Sequence, residues 1–314
     1  MSDLHVVFGT GAAGTWTARS LAEAGKRVRA VNRSSARNEF LPESVEVVAV
    51  ADASDPDAAA RVAEGAAVVY QCLNPPYGRW AELFPPLQRG VIAAARRTGA
   101  RYVSLENLYP LGRVSGPMTE QTPIRPCSRK GEVRAAMTEE LRALSDAGEL
   151  EVATGRASDY YGPGALNSAM GAMIFEPLVA GKKVSLVGSA DVVHSYAYIE
   201  DIGRGLAALG TNDAAFGRVW NLPHAPALTG RATLASAFAA AGEPEKVGAI
   251  GPLKMRLAAP FLPAARESLE MLYEFTEPFV VDSSAIEREF GLTATPIPEG
   301  MKRTVDWYRG RTAT

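Results

Sequence analysis

Cysteine and histidine are scarce in this chain. Its 314 residues include two cysteines and three histidines, and Cys72 and Cys127 stand far apart with no histidine beside either. That spacing excludes a disulfide framework and a zinc site, so both read as reduced thiols and no metal is expected. Charge of one sign is lacking too. Lys and Arg number 33 against 35 Asp and Glu, a formal charge of -2, with both signs well mixed. No basic stripe is present to meet nucleic acid, which leaves small molecules as the expected partners. No apolar run approaches the roughly 20 residues that cross a bilayer, and the N-terminus carries Asp3 and His5 where a signal peptide is basic and then apolar. A cytoplasmic protein without membrane partners is expected. Internal repeats and low-complexity segments are also missing.

What is present is apolar content enough for a real core, 47% of residues, in a length that holds one large or two modest domains. Short Val-rich runs alternate with helix-compatible stretches through the first half. Strands are expected at Leu4 to Phe8, Val28 to Asn32, Val45 to Val50, Ala67 to Gln71, Tyr102 to Leu105 and Leu150 to Thr154. Helices are expected at Ala12 to Ala24, Asp57 to Glu64, Trp80 to Thr98 and Arg129 to Ala147. This alternation predicts a Rossmann-type α/β fold, a doubly wound parallel sheet with right-handed crossovers.

The first strand runs into Gly9-Thr10-Gly11-Ala12-Ala13-Gly14, a Gly-x-Gly-x-x-Gly turn that opens a helix. A dinucleotide needs that order: the first glycine turns the chain, the second lets backbone approach the pyrophosphate, and the third lets helix pack on strand. The anion then rests on unpaired N–H groups at the helix start. About 20 residues on, where an acid grips the ribose of NAD, the chain has Asn32-Arg33. An arginine there suits a 2′-phosphate, so NADP is expected ahead of NAD; the plainer reading of Arg33 is a solvated loop charge. Asp52-Ala53 follows the third strand, as an adenine contact or a simple turn, and Cys72-Leu73-Asn74 follows the fourth, at the edge where such sheets bind ligands.

Taken with these, Arg156 to Gly164 (Arg-Ala-Ser-Asp-Tyr-Tyr-Gly-Pro-Gly), Tyr196 to Asp201, Phe279 to Leu292 and Glu299 to Tyr308 resemble the extended short-chain dehydrogenase/reductases, the NAD-dependent epimerase/dehydratase group. The resemblance spans nearly the whole chain. It implies a nucleotide-binding domain over 1–161, with a returning strand near 217–222, and a smaller α/β substrate-binding region over 162–314. It also implies a homodimer paired through the helices at Trp80 and Arg129. The family's chemistry runs on a Ser or Thr, a Tyr and a Lys in Tyr-x-x-x-Lys spacing. Here Lys130 is in place as a ribose ligand, but Pro126 stands at the tyrosine position and Leu105 at the serine or threonine position. Glu106, Tyr109 and Tyr160 are the candidate proton carriers in their stead, and Tyr161 is implied as a cofactor contact. Each has a plainer reading, as a helix cap or a packed aromatic.

The implied activity is that of an NAD(P)-dependent oxidoreductase or epimerase acting on a small carbonyl, hydroxyl or sugar-nucleotide-like substrate. The alternative is a regulatory or non-redox protein that keeps the cofactor on the same fold. Beyond Gly162 the spacing of Met170, Met173, Ile174 and Leu178 predicts a helical core stripe between Ala165 and Gly181. Lys182 to Val187 and Val219 to Leu222 read as strands, Thr233 to Ala241 as a helix, and Pro252 to Glu277 as helices roofing the cleft. His194 takes the place of an arginine that in the sugar-nucleotide epimerases meets the substrate pyrophosphate, and offers at most one weak charge there.

Overall fold

Leu4–Phe8 (β1) is buried at all five positions, which in an α/β protein means that helices cover both faces of the sheet. The computed structural model describes residues 3–312. Six strands join β1: Arg27–Asn32 (β2), Glu46–Ala49 (β3), Ala66–Gln71 (β4), Arg101–Glu106 (β5), Val152–Arg156 (β6) and Arg218–Asn221 (β7). All pair in parallel, in the order β7-β6-β5-β4-β1-β2-β3. The chain builds outward from β1 through β3 and then returns to β4 on the other side, so the strand order reverses between β1 and β4. Ligands of open α/β sheets bind outside the strand ends at such a reversal. Register levels those ends: Phe8 lies opposite Val31 and opposite Gln71.

Local chemistry starts and stops the helices Ala12–Glu23 (α1), Pro56–Val62 (α2), Trp80–Thr98 (α3), Arg129–Asp146 (α4) and Ile199–Thr211 (α5). Asp55 caps α2 by accepting the N–H groups of Asp57 and Ala58, with Pro56 preset for the first turn. Gly99 ends α3 in the left-handed region at φ 70. The core of this layer gathers Val6, Phe8, Val69, Val91, Ala94 and Tyr102, each large apolar side chain worth about 1.5–3 kcal/mol when fully buried. The expected strands of this sheet match the observed ones to within one residue at each end, except that β6, expected over Leu150 to Thr154, lies two residues later, at Val152–Arg156. In that register Gly155 and Arg156 pair with Leu105 and Glu106.

His5 in β1 is buried, with Nδ1 at 2.7 Å from the Tyr70 hydroxyl. Burial first, then Lys26, lowers its pKa to about 4. The unfolded ring titrates near ~6.5, so between about pH 6.5 and 4 the unfolded chain binds the extra proton and stability falls as acid is added. Urea unfolding of the parent and of His5→Gln over that window is expected to show a loss of up to about 3 kcal/mol in the parent that the variant lacks. Parallel curves would refute it.

By contact, the first unit takes residues 1–110, 130–157 and 202–222, and the second takes 111–129, 158–201 and 223–314. In the second, the helices Ala172–Val179, Gly230–Ala241 and Ile297–Thr312 share a core of Phe175, Leu178, Phe238, Met301, Val305 and Tyr308. Val184–Val187 pairs in parallel with Val247–Ile250. The helix expected between Ala165 and Gly181 starts only at Ala172. Met170 is thus buried in the preceding turn, while Met173, expected in the stripe, is 74% exposed. Residues 252–277 form three short helical pieces that bury Met255 and Leu272. Leu253, Leu257, Phe261 and Leu262 on the same stretch are exposed. Among the described residues, no helix is long and apolar enough to cross a membrane, and no cluster of His, Cys, Asp and Glu is gathered to hold a metal.

Candidate functional site

The turn between β1 and α1 separates three glycines by what each one faces. Gly9 sits at φ +100, where a Cβ would stand 2.8 Å from the Cys72 carbonyl oxygen; at Gly14 a Cβ would stand 1.9 Å from the Gly9 carbonyl oxygen. The protein's own backbone demands both. A Cβ at Gly11 would meet nothing within 4 Å, so whatever requires a glycine there is not part of this chain. Gly11 is also the N-cap of α1, with no side-chain cap and no acid in the first turn. Open space before uncapped N–H groups at a helix start is the cradle a pyrophosphate fits.

The loop after β2 is tied to this turn. The Asn32 amide donates to Thr10 Oγ1 at 2.9 Å and to the Ala36 carbonyl at 2.8 Å, and its oxygen accepts the Ser34 N–H. Two arginines follow with different employment. Arg37 spends its guanidinium on the carbonyls of Val45, Leu41 and Pro42. Arg33 is exposed, and among the described residues it makes no ion pair. After β3, Asp52 accepts from the Ser54 N–H and hydroxyl, which hold its carboxyl below the usual range, so one oxygen closes a turn. Ala53 is pinned by α3, whose Gly90 leaves no room for a Cβ against the Ala53 carbonyl. After β4, the Cys72 N–H continues the ladder to Phe8, and Gln71 accepts the Leu73 N–H. Burial pushes the Cys72 thiol up to about 12, so what it offers here is backbone. Asn74 is exposed on the rim that follows.

Lys130 lies in the first turn of α4 and is 5% exposed. Its Nζ stands 4.4 Å over the ring of Tyr77, whose hydroxyl is 3.4 Å from that of Tyr109. Both rings pack on Trp80, which is anchored by its Nε1 to the Pro75 carbonyl. Tyr77 is the residue that sequence reasoning missed. It lies six residues past the end of β4 and matches no motif. Its one sequence signal is position, beyond a strand's carboxyl end.

Glu106, at the end of β5, is 2% exposed. One of its oxygens accepts from the Thr138 hydroxyl at 2.5 Å, and the other has no hydrogen-bond partner. Arg134, also buried, donates to the Leu105 carbonyl and is electrostatically coupled to Glu106. Glu106 therefore faces α4 and ties that helix to the sheet.

In the second unit, Tyr161 is 1% exposed, its ring on Tyr198 and its hydroxyl against Gly300. Its side chain is part of the core of this unit. Tyr160 is partly exposed, with its hydroxyl pushed up by burial and then by Asp159. His194 stacks on Phe275 and Phe279. Its Nδ1 is 3.0 Å from the Glu274 carbonyl and its Nε2 3.1 Å from an Asp159 oxygen, an approach whose angle falls short of a hydrogen bond. At 3% exposure it is held between a carbonyl and a carboxylate and does not face outward.

A profile of the NAD dependent epimerase/dehydratase family matches residues 6–222, from β1 to the end of β7. The chain belongs to that family. A dTDP-glucose 4,6-dehydratase of Streptomyces griseus is 27% identical over 220 residues, a match that takes in 69% of this chain and only 61% of the relative. An epimerase of Methanothermobacter thermautotrophicus superposes with a TM-score of 0.81 at 18% identity, over 99% of this chain and 94% of that one. The UDP-glucose 4-epimerase of Thermotoga maritima, solved with UDP-glucose, gives 0.80 at 17% over 98% and 99%. A double mutant of the dTDP-glucose 4,6-dehydratase of Streptomyces venezuelae, solved with NAD, gives 0.78 at 20% over 99% and 98%. At such identities the likeness speaks for the fold.

Proposed function

We propose that this chain is an NAD(P)-dependent oxidoreductase or epimerase of the extended short-chain type that prefers NADP. The observation that carries this reading is the pair formed by Gly11, open to a ligand, and Arg33, an uncommitted cation on the loop that Asn32 ties to the same turn. Gly9 to Gly14 and the start of α1 hold the pyrophosphate, Arg33 the 2′-phosphate, and Asp52 and Ala53 the adenine. The backbone of Cys72, Leu73 and Asn74 lines the way to the nicotinamide, and Lys130 holds its ribose. When bound, the dinucleotide supplies a hydride acceptor or donor. The chain's own residues orient the substrate and move its proton, with Tyr109 and Tyr160 as candidate carriers. Glu106 is less suited, being occupied by Thr138. The substrate is a small carbonyl or alcohol, or a sugar-nucleotide-like molecule.

Calorimetric titration with NADPH and NADH tests the reading. Arg33→Asp is expected to weaken NADPH by roughly 10- to 100-fold, the value of a charge-assisted bidentate contact, and to leave NADH within about threefold. Equal losses for both would remove the 2′-phosphate assignment. A second reading, a cofactor-binding regulator, is favoured by Leu105 and Pro126, neither of which bears a proton to give. Tight NADPH binding with no change in reduced-nicotinamide absorbance across a panel of small aldehydes, ketones and alcohols would select it. The reading includes a homodimer in the cytoplasm, paired through α3 and α4, where Ile92, Ala93, Ala143 and Leu144 line a shallow groove. A monomer in sedimentation equilibrium would remove the dimer.

A further inference from the structure

Of the ten tyrosines, seven are buried. The three that reach the surface are Tyr77, Tyr109 and Tyr160. Two of these three stand with their hydroxyls 3.4 Å apart, and the nearly buried ammonium of Lys130 lies over one of them, at 4.4 Å from the Tyr77 ring centroid. An ammonium so withdrawn from water is stabilised by a facing π-cloud, and more strongly by the same ring once its hydroxyl has ionised. The pair is also rigid. Trp80 meets Tyr77 edge-on and Tyr109 in a stack, at 5.1 and 5.8 Å, and Phe84 and Met137 back the cluster. The Asn107 side chain accepts the Tyr109 N–H, fixing the loop after β5. Tyr77 comes from the loop after β4 and Tyr109 from the loop after β5, the two strands next to β1 on the side where the sheet order reverses.

We propose that Tyr77 is the catalytic phenol, with Lys130 as its counter-charge and Tyr109 as the hydroxyl through which its proton is exchanged. The redox step rests on the function proposed above. In the oxidising direction the substrate's hydroxyl proton passes to the Tyr77 phenolate and its C–H bond gives a hydride to an oxidised nicotinamide dinucleotide, leaving a carbonyl. The proton then leaves through the Tyr109 hydroxyl. In the reducing direction Tyr77 gives the same proton to the alkoxide oxygen as the hydride arrives at carbon. The phenol thus reaches Lys130 from across the sheet edge instead of from the preceding turn of its own helix, which explains how Pro126 is tolerated.

The test needs no substrate. An aryl sulfonyl fluoride, which reacts with phenolates held near a cation, is applied to the whole protein at neutral pH and the adducts are mapped by peptide mass spectrometry. Tyr77 is expected to be modified first among the ten tyrosines, and Lys130→Met, which keeps the stem and removes the charge, to slow that modification by roughly tenfold or more. Tyr77→Phe, which keeps the ring under Lys130, is expected to fold, to bind NADPH within about twofold, and to lose roughly 100-fold or more of any turnover found in the substrate panel. Preferential labelling of Tyr160, labelling of Tyr77 indifferent to Lys130→Met, or full turnover in Tyr77→Phe would each overturn the proposal. Failure of the parent to bind NADPH would instead overturn the function proposed above, and the labelling result would stand apart from it.

Discussion

A Gly11→Val variant is expected to fold as the parent does and to lose NADPH by roughly 100-fold or more, which is about 2.7 kcal/mol. The added Cβ has open space within 4 Å. Its helix cap is not disturbed by loss of a side-chain bond, because Gly11 supplies none. What it displaces is the ligand from the N–H groups at the start of α1. Gly14→Ala separates the two kinds of glycine. There the new methyl would stand 1.9 Å from the Gly9 carbonyl oxygen, so the turn itself must move, and a loss of more than about 3 kcal/mol of stability is expected. Melting curves and calorimetric titrations on both variants read the difference. Unchanged NADPH affinity in Gly11→Val would mean that the turn cradles nothing, and the functional reading would go with it.

Arg134→Met is expected to destabilise the protein by about 2–3 kcal/mol, because it takes the donor from a buried Leu105 carbonyl and the cation that acts electrostatically on buried Glu106. Arg134 and Thr138 are one helical turn apart on α4 and face β5 together. One donates to the Leu105 carbonyl and the other to the Glu106 carboxylate. Burial works against the Arg134 charge and Glu106 works for it. Without the cation, Glu106 keeps a single hydroxyl bond in a site nearly closed to water, with its second oxygen unpartnered. The double variant Arg134→Met with Glu106→Gln is expected to recover half or more of the loss, because the uncompensated charge is then gone. Urea denaturation of the three proteins decides it. A loss below about 1 kcal/mol in the single variant would mean that Glu106 does not depend on Arg134, and would return it to the candidates for proton transfer.

The glycine turn was legible because its pattern is local: strand, glycines and helix follow one another within twenty residues. Arg33 was legible for the same reason, although only the structure separates it from Arg37, whose guanidinium is consumed by three carbonyls. Side-chain direction was not. Glu106 was singled out as a proton carrier and Tyr161 as a cofactor contact from their places after strands, and a strand end does not say which way the next side chain points. Glu106 points into α4, and Tyr161 into the core of the second unit. Met173 went astray through a shift of helix start, which turned one residue of an apparent stripe toward solvent.

The amino-acid sequence by itself determined the parallel sheet, the glycine turn, the cation after β2 and the proline four positions before Lys130. Each of these is a matter of periodicity or spacing within one or two elements. Only the tertiary structure decided which phenol meets Lys130, since Tyr77 and Lys130 lie 53 positions apart and come together solely because β4 and β5 pair side by side and α4 begins over their ends. Contacts of that kind are set by strand order and loop path, and no local pattern of residues encodes them.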